Sequence, residues 1–250
     1  MEKLKNKVAV ITGGNSGIGF GIAEALKSEG AVGAIVGRNQ GTIDSSIALL
    51  GDNFIGINAD VTNLTDLERV FKETSEKFGK IDVIVANAGA GTTGTVADTS
   101  EADYNKMIDL NLKSVYFTVQ KALPYMNDGG SVILIGSNAA HRAYPSFGLY
   151  GATKAAVIFF AKAFSNDLLD RKIRVNVITP GTTDTPAFDK FVPAEQIEAV
   201  KTHFASVMPI GRIGQPSDIG KTAVFLASDD SSFMLGAELL VDGGMTYLSK

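Results

Sequence analysis

No cysteine occurs in this chain, which excludes disulfides, zinc–thiolate sites and a thiol nucleophile together. Histidine is nearly as scarce, with only His141 and His203, and no metal site is expected. An excess of positive charge is also missing: the formal net charge is −4 and no run of Lys and Arg exceeds a few residues. There is no basic field to gather a phosphate backbone, and no nucleic-acid partner is expected. Long apolar runs are absent as well. None approaches the roughly 18 residues of a membrane-spanning helix. The stretch Val8–Ile11, after the polar, lysine-rich Met1–Lys7, is too short for a secretory core before glycines interrupt it. A cytoplasmic location without a membrane partner is the expectation.

What is present resembles an ordinary globular enzyme, with 45% hydrophobic and 20% charged residues. The 250 residues are long for one domain, but open α/β sheets reach this length as a single unit, and 1–250 is expected to be one domain. Short Val/Ile-rich runs recur at Val8–Thr12, Ala34–Gly37, Phe54–Ala59, Ile81–Asn87, Ser131–Gly136, Arg174–Pro180 and Leu239–Asp242. Between them, apolar residues at three- and four-residue spacing predict helices at Gly17–Ser28, Thr65–Phe78, Glu101–Met126, Tyr150–Asp170 and Ser217–Leu226, with a weaker one at Thr42–Leu50. Apolar strands alternating with such helices predict an α/β fold: a single Rossmann-type doubly wound parallel seven-stranded sheet with helices on both faces. One connection breaks the rhythm. Residues 182–215 contain Pro186, Pro193 and Pro209 together with Phe188, Phe191, Ile197, Val200, Phe204 and Met208, and read as a small helical substrate flap.

The first strand runs into Thr12, Gly13, Gly14, Asn15, Ser16, Gly17, Ile18 and Gly19, and then into a helix. Glycines at such a turn let backbone N–H groups and a helix N-terminus approach a pyrophosphate. Ser137 closes the fifth strand, and Tyr150 and Lys154 stand four apart on one face of the following helix. A phenol is a poor acid or base at neutral pH unless a nearby ammonium stabilises its phenolate, and Lys154 can supply that charge. A serine hydroxyl beside it can hydrogen-bond a substrate oxygen. No Gly-x-Ser-x-Gly elbow surrounds Ser137, so it is not read as a nucleophile.

The spacing Gly13-x-x-x-Gly17-x-Gly19, together with Asn87-Ala88-Gly89, Asn111, Ser137, Tyr150, Lys154 and Pro180-Gly181 in this order, resembles the short-chain dehydrogenase/reductase family over essentially the whole chain. The resemblance implies a nicotinamide cofactor and a catalytic set of Asn111, Ser137, Tyr150 and Lys154, with Asn111 holding a water for proton relay. It implies that Asn87, Ala88 and Gly89 support the adenosine side, that Asp60 and Val61 meet adenine, and that Pro180, Gly181, Thr183 and Thr185 hold the carboxamide. The acidic residue that normally ends the second strand and repels a 2′-phosphate is replaced by Gly37, followed by Arg38 and Asn39. Arg38 can pair with a phosphate, which favours NADP(H) and leaves NAD(H) possible.

Beside Ser137, the expected substrate pocket draws on His141, Tyr144, Phe147 and Phe188. His203, in the flap, reads as a surface or pocket-edge residue. The leading function is an NAD(P)H-dependent ketone or aldehyde reductase, or the reverse secondary-alcohol dehydrogenase, with a small-molecule substrate. An alternative is reduction of 3-oxoacyl chains on acyl carrier protein, with Arg171, Lys172 and Arg174 docking the acidic carrier. A non-catalytic cofactor-sensing scaffold is the alternative from another class. Enoyl reduction is disfavoured, because relatives with that chemistry place the lysine seven residues after the tyrosine, and neither Phe147 nor Gly151 fits such a pair. A homotetramer is expected from the resemblance and from the two long helices, with Val115, Phe117, Val119, Phe159, Phe160 and Phe164 as candidate surface residues.

Overall fold

The computed structural model describes residues 2–186, 188 and 192–249. Its strands are β1 (Val8–Thr12), β2 (Val32–Gly37), β3 (Phe54–Asn58), β4 (Ile81–Ala86), β5 (Met126–Ile135), β6 (Arg174–Pro180) and β7 (Glu238–Val241). They form one sheet in the order β3-β2-β1-β4-β5-β6-β7, with every neighbouring pair parallel. The helices are α1 (Gly17–Ser28), α2 (Gln40–Leu50), α3 (Leu64–Phe78), α4 (Glu101–Ile108), α5 (Ser114–Ala122), α6 (Gly148–Asp167), α7 (Ile197–Val207) and α8 (Pro216–Ala227). Winding runs outward from β1 to β3 and then restarts at β4, so the strand order reverses between β1 and β4. Ligands of such sheets bind beyond the strand C-termini at this point.

Both faces of the sheet are covered. On one side Leu67, Val70 and Phe71 of α3, Val115 and Val119 of α5, and Val157, Ala161 and Phe164 of α6 pack on alternate residues of the strands. On the other, Ile22 and Leu26 of α1 and Ile219, Ala223 and Leu226 of α8 do the same. Each of the valine, leucine, isoleucine and phenylalanine side chains among these contributes about 1.5–3 kcal/mol by leaving water. The second face closes tightly because α1 and α8 meet at glycines: a Cβ on Gly21 would lie 2.5 Å from Pro216 Cβ, and one on Gly220 would lie 2.6 Å from the Gly21 carbonyl oxygen.

Local chemistry sets the element ends. Asn63 caps α3 by accepting from the N–H groups of Thr65 and Asp66, and Gly79 ends it at φ 90°. Gln215 and Asp218 form a reciprocal capping box at α8, with Pro216 in the first turn. β2 starts earlier than the apolar run suggests, because Gly33 is part of the strand, where a Cβ would lie 1.8 Å from the Ala9 carbonyl oxygen.

The expected continuous helix Glu101–Met126 is instead α4, a π-helical turn over Asp109–Lys113, α5, and a 3-10 turn at Leu123–Tyr125. Met126 belongs to β5. The expected flap contains α7, and beneath it Met208, Ile213 and Met245 form a small separate core against Tyr144 and Phe204. Phe191 lies outside the described residues. Among the described residues no helix is long and apolar enough to cross a membrane, and no cluster of acidic and histidine side chains is placed to hold a metal.

Candidate active site

At the end of β1 the chain turns at Gly13, with φ 64°, and enters α1 through Gly17, with φ 53°. Asn87 braces this turn from β4: its Nδ2 donates to the carbonyls of Thr12 at 2.9 Å and Gly13 at 3.1 Å. The Thr12 hydroxyl accepts from the N–H groups of Asn87 and Ala88 and donates to the Val85 carbonyl. The Asn87 side chain is therefore committed to the glycine loop, and the motif acts on the cofactor side through that loop. A Cβ on Gly19 would sit 2.2 Å from the Gly13 carbonyl oxygen, so only glycine allows the loop to fold this close to the helix. Ser16 caps α1 without a side-chain hydrogen bond, and the first-turn N–H groups are available to an anion. These features fit a dinucleotide pyrophosphate, with Ile18 packed against the core below.

At the end of β2, Gly37 is covered by Asn15; a Cβ there would lie 2.4 Å from Asn15 Oδ1, while Asn15 Nδ2 donates to the Thr42 hydroxyl at 2.6 Å. Arg38 is 70% exposed and stands 3.8 Å from Asp60, a loose pair worth little by itself that leaves the guanidinium accessible. The Asn39 side chain caps α2 by accepting from Thr42 N–H at 3.0 Å. Asp60 accepts from the Thr62 N–H and hydroxyl at 2.9 and 2.8 Å, which fixes the turn after β3, and Val61 is buried beside it.

The reactive groups meet beyond β4 and β5. Lys154, buried in α6, donates from Nζ to the Ile135 carbonyl at 2.9 Å and stands 5.8 Å from the centroid of the Tyr150 ring. Burial pushes the ammonium pKa down to about 8. Burial also pushes the Tyr150 phenol up, and a hydrogen bond with the Ser137 side chain offsets part of that rise. Both directions follow from loss of solvation of the charged form. A Cβ on Gly89 would lie 2.9 Å from Asn111 Oδ1 and 3.5 Å from Lys154 Nζ, so the Gly89 backbone borders the same space. Asn111, fully buried in the π turn, accepts from Ala90 N–H at 2.9 Å and donates to the Ala90 carbonyl at 2.8 Å. Its side chain ties the loop after β4 to the helix.

Pro180 ends β6, and Gly181 passes so close to β7 that a Cβ would lie 2.7 Å from Asp242 Cα. The buried Thr183 donates its hydroxyl to the Gly181 carbonyl at 3.0 Å and pairs with Gly214. Thr185 reaches the phosphate loop: a Cβ on Gly17 would meet its Cβ at 3.2 Å. The segment expected at the carboxamide thus runs beside the glycine loop.

On the open side, Gly94, Val96, Tyr104, Tyr144 and Leu149, with Glu101 and several hydroxyls, line a cleft of about 740 Å³; among the described residues no lysine or arginine lines it. Tyr144 accepts from Asn138 Nδ2 at 3.0 Å. Phe147 packs edge-on against Tyr150 at 6.0 Å, and Phe188 against Phe204 of the flap at 6.3 Å. His141 does not join this group. Its Nε2 lies 2.6 Å from Glu238 Oε1 on β7, because the turn after Ser137 directs it toward the sheet edge. Val96 and Tyr104 escaped the sequence reading, since an isolated aliphatic and an exposed helical tyrosine carry no motif.

His203 lies against Phe204 at 6.2 Å on α7. The expected basic docking group is dismantled by the fold. Arg171 is taken up by Asp128 and by the carbonyls of Leu123 and Met126. Arg174 is buried on Ser231 and the carbonyls of Leu226 and Ser228. Neither faces a carrier.

A doubly wound sheet with a glycine cradle at its first turn, and a half-buried Tyr150 beside a buried Lys154 beyond β4 and β5, defines a dinucleotide-dependent oxidoreductase. A family model described as "Enoyl-(Acyl carrier protein) reductase" matches residues 13–246, and the chain belongs to the short-chain dehydrogenase/reductase family. It is 38% identical over 250 residues to an oxidoreductase of Sarocladium schorii, covering 99% of each chain. It is 35% identical over 252 residues to the NADP-dependent (R)-specific alcohol dehydrogenase of Lentilactobacillus kefiri, covering 98% of each. A Brucella melitensis short-chain dehydrogenase/reductase of the glucose/ribitol dehydrogenase type superposes with a TM-score of 0.91 at 32% identity over 99% of each chain.

Proposed function

We propose that this protein is a carbonyl reductase, or the reverse secondary-alcohol dehydrogenase, in which Tyr150 is the general acid/base. The observation that carries this reading is the buried Lys154 ammonium beside the Tyr150 ring, with the Ser137 side chain near enough to pull the same phenol's pKa down. The bound nicotinamide supplies or accepts the hydride. The chain's own residues do the rest: Ser137 holds the carbonyl oxygen, Tyr150 protonates that oxygen as it gains charge, and Lys154 stabilises the phenolate left behind. Thr183 and Thr185 position the carboxamide side, and the glycine loop holds the pyrophosphate. The lysine stands four residues after the tyrosine, not seven, so carbonyl rather than enoyl reduction is the assigned chemistry.

The cofactor reading is NADP(H). Gly37 puts no carboxylate where a 2′-phosphate would lie, Arg38 is accessible there, and a 35%-identical relative is named as NADP-dependent. The cleft, with aromatic and aliphatic walls and, among the described residues, Glu101 but no lysine or arginine, suits uncharged ketones and aldehydes better than anionic ones. The assembly reading is a homotetramer, supported by the aromatic surface of α5 and α6.

The test is ketone-dependent oxidation of NADPH. Tyr150→Phe removes the proton donor and leaves the dinucleotide contacts, so turnover is lost while the NADPH Kd is nearly unchanged. Retention of more than a few per cent of the wild-type kcat, with chemistry rate-limiting, overturns the assignment.

A further inference from the structure

Glu238 gathers two hydrogen bonds onto one oxygen. Its Oε1 accepts from the Thr179 hydroxyl at 2.6 Å and lies 2.6 Å from His141 Nε2. A carboxylate offers no hydrogen, so both partners must donate, which places the His141 proton on Nε2. These two donors flank the catalytic serine. The fully buried Thr179 hydroxyl rests against Gly136, where a Cβ would lie 2.7 Å from its Oγ1. On the other side, Ser137 opens the short turn Asn138–Ala140, which His141 ends by donating its N–H to the Asn138 carbonyl at 3.0 Å. One carboxylate oxygen on β7 therefore fixes the chain immediately before and four residues after Ser137.

We propose that His141 and Glu238 are positioning residues that hold the Ser137 hydroxyl in register with Tyr150. The inference rests on the catalytic reading of Ser137 and Tyr150 given above. It differs from a purely structural role because both side chains are partly open to solvent, 25% and 20% exposed, and a pair so placed adds little to folding stability. What it constrains is the direction of the serine hydroxyl, and small displacements of a catalytic group cost rate far more than they cost stability.

The experiment measures kcat, KM, NADPH Kd and thermal midpoint for His141→Ala, Glu238→Ala and His141→Gln, and for His141→Ala combined with Ser137→Ala. His141→Ala and Glu238→Ala are expected to lower kcat on the order of tenfold, with NADPH Kd and thermal midpoint near wild type. His141→Gln, whose side-chain amide can still donate to Glu238, recovers most of the rate. In the Ser137→Ala background, His141→Ala has no further effect on the residual rate. An equal loss in that background, an unchanged kcat in either alanine variant, or a loss that tracks Kd or thermal midpoint overturns the proposal. If turnover survives in both Tyr150→Phe and Ser137→Ala, the site reading falls and this inference with it. If Tyr150→Phe is inactive and the His141 results are contrary, only the positioning role falls.

Discussion

At the level of single side chains, Lys154 is held in a position that disfavours its own charge. Its pKa falls from 10.5 unfolded to about 8 folded. Below pH 8 both states carry the proton and the burial cost is complete; above 10.5 neither does and the cost is gone. Stability therefore rises with pH between these values, because the unfolded chain binds more protons there. The difference amounts to about 3 kcal/mol at most. Urea denaturation at a series of pH values should show this rise in the wild type and not in Lys154→Met. Arg38 carries the cofactor prediction: Arg38→Ala should raise the KM for NADPH more than for NADH, by roughly tenfold to a hundredfold for a well-formed charge-assisted contact. An unaltered ratio of kcat/KM values, in an enzyme that already prefers NADH, would leave Arg38 as an adenine shelf. Gly37→Asp should also turn preference toward NADH, but less cleanly. A Cβ at that position lies 2.4 Å from Asn15 Oδ1, so the Asn15 bond to Thr42 must break before the new carboxylate can act.

At the level of elements, β1, β6 and α1 have the ends that their apolar runs and glycines predict, because each is bounded by a residue that changes the backbone. The π turn was not legible. Met107, Asn111, Val115 and Val119 are all buried at four-residue spacing, which an uninterrupted α-helix would share, and nothing in side-chain type marks an i→i+5 bond. The candidate catalytic residues could be picked from the sequence because few residue types can perform the chemistry, and the fold brings Ser137, Tyr150 and Lys154 together. Asn39, Arg171, Arg174 and His141 take partners that the sequence does not reveal, for one shared reason. A polar side chain near a site is equally available to a helix cap or to a carbonyl, and only the fold decides which. The contact of α1 with α8 gives an element-level prediction. Gly21→Val drives a side chain into Pro216 backbone and ring, and should destabilise by about 1–3 kcal/mol. Chemical denaturation should show this as a lowered midpoint with an unchanged m-value.

At the level of the whole molecule, the proposed assembly rests on the two middle helices of one face. Val115, Val119 and Phe164 turned out to be core, which removes them from the expected surface. Phe159 is 66% exposed and Tyr116 42% exposed. Tyr116 packs edge-on against Phe117, Phe160 and Phe164. An aromatic patch of this kind on α5 and α6 suits a two-fold contact between copies. Phe159→Glu should therefore lower the sedimentation mass at micromolar protein while leaving the far-UV spectrum intact, and an unshifted wild-type monomer would remove the tetramer.

The small core formed by Met208, Ile213 and Met245 has a consequence for how the chain can be altered. Tyr144, which walls the cleft, and Phe204 of α7 both pack on it, and the Met245 carbonyl also accepts from Arg142 at 3.3 Å. The turn after β7 that carries Met245 is thus a keystone shared by the flap and the pocket wall, although it is remote in sequence from both. A change at Met245 therefore reaches the flap and the pocket wall together.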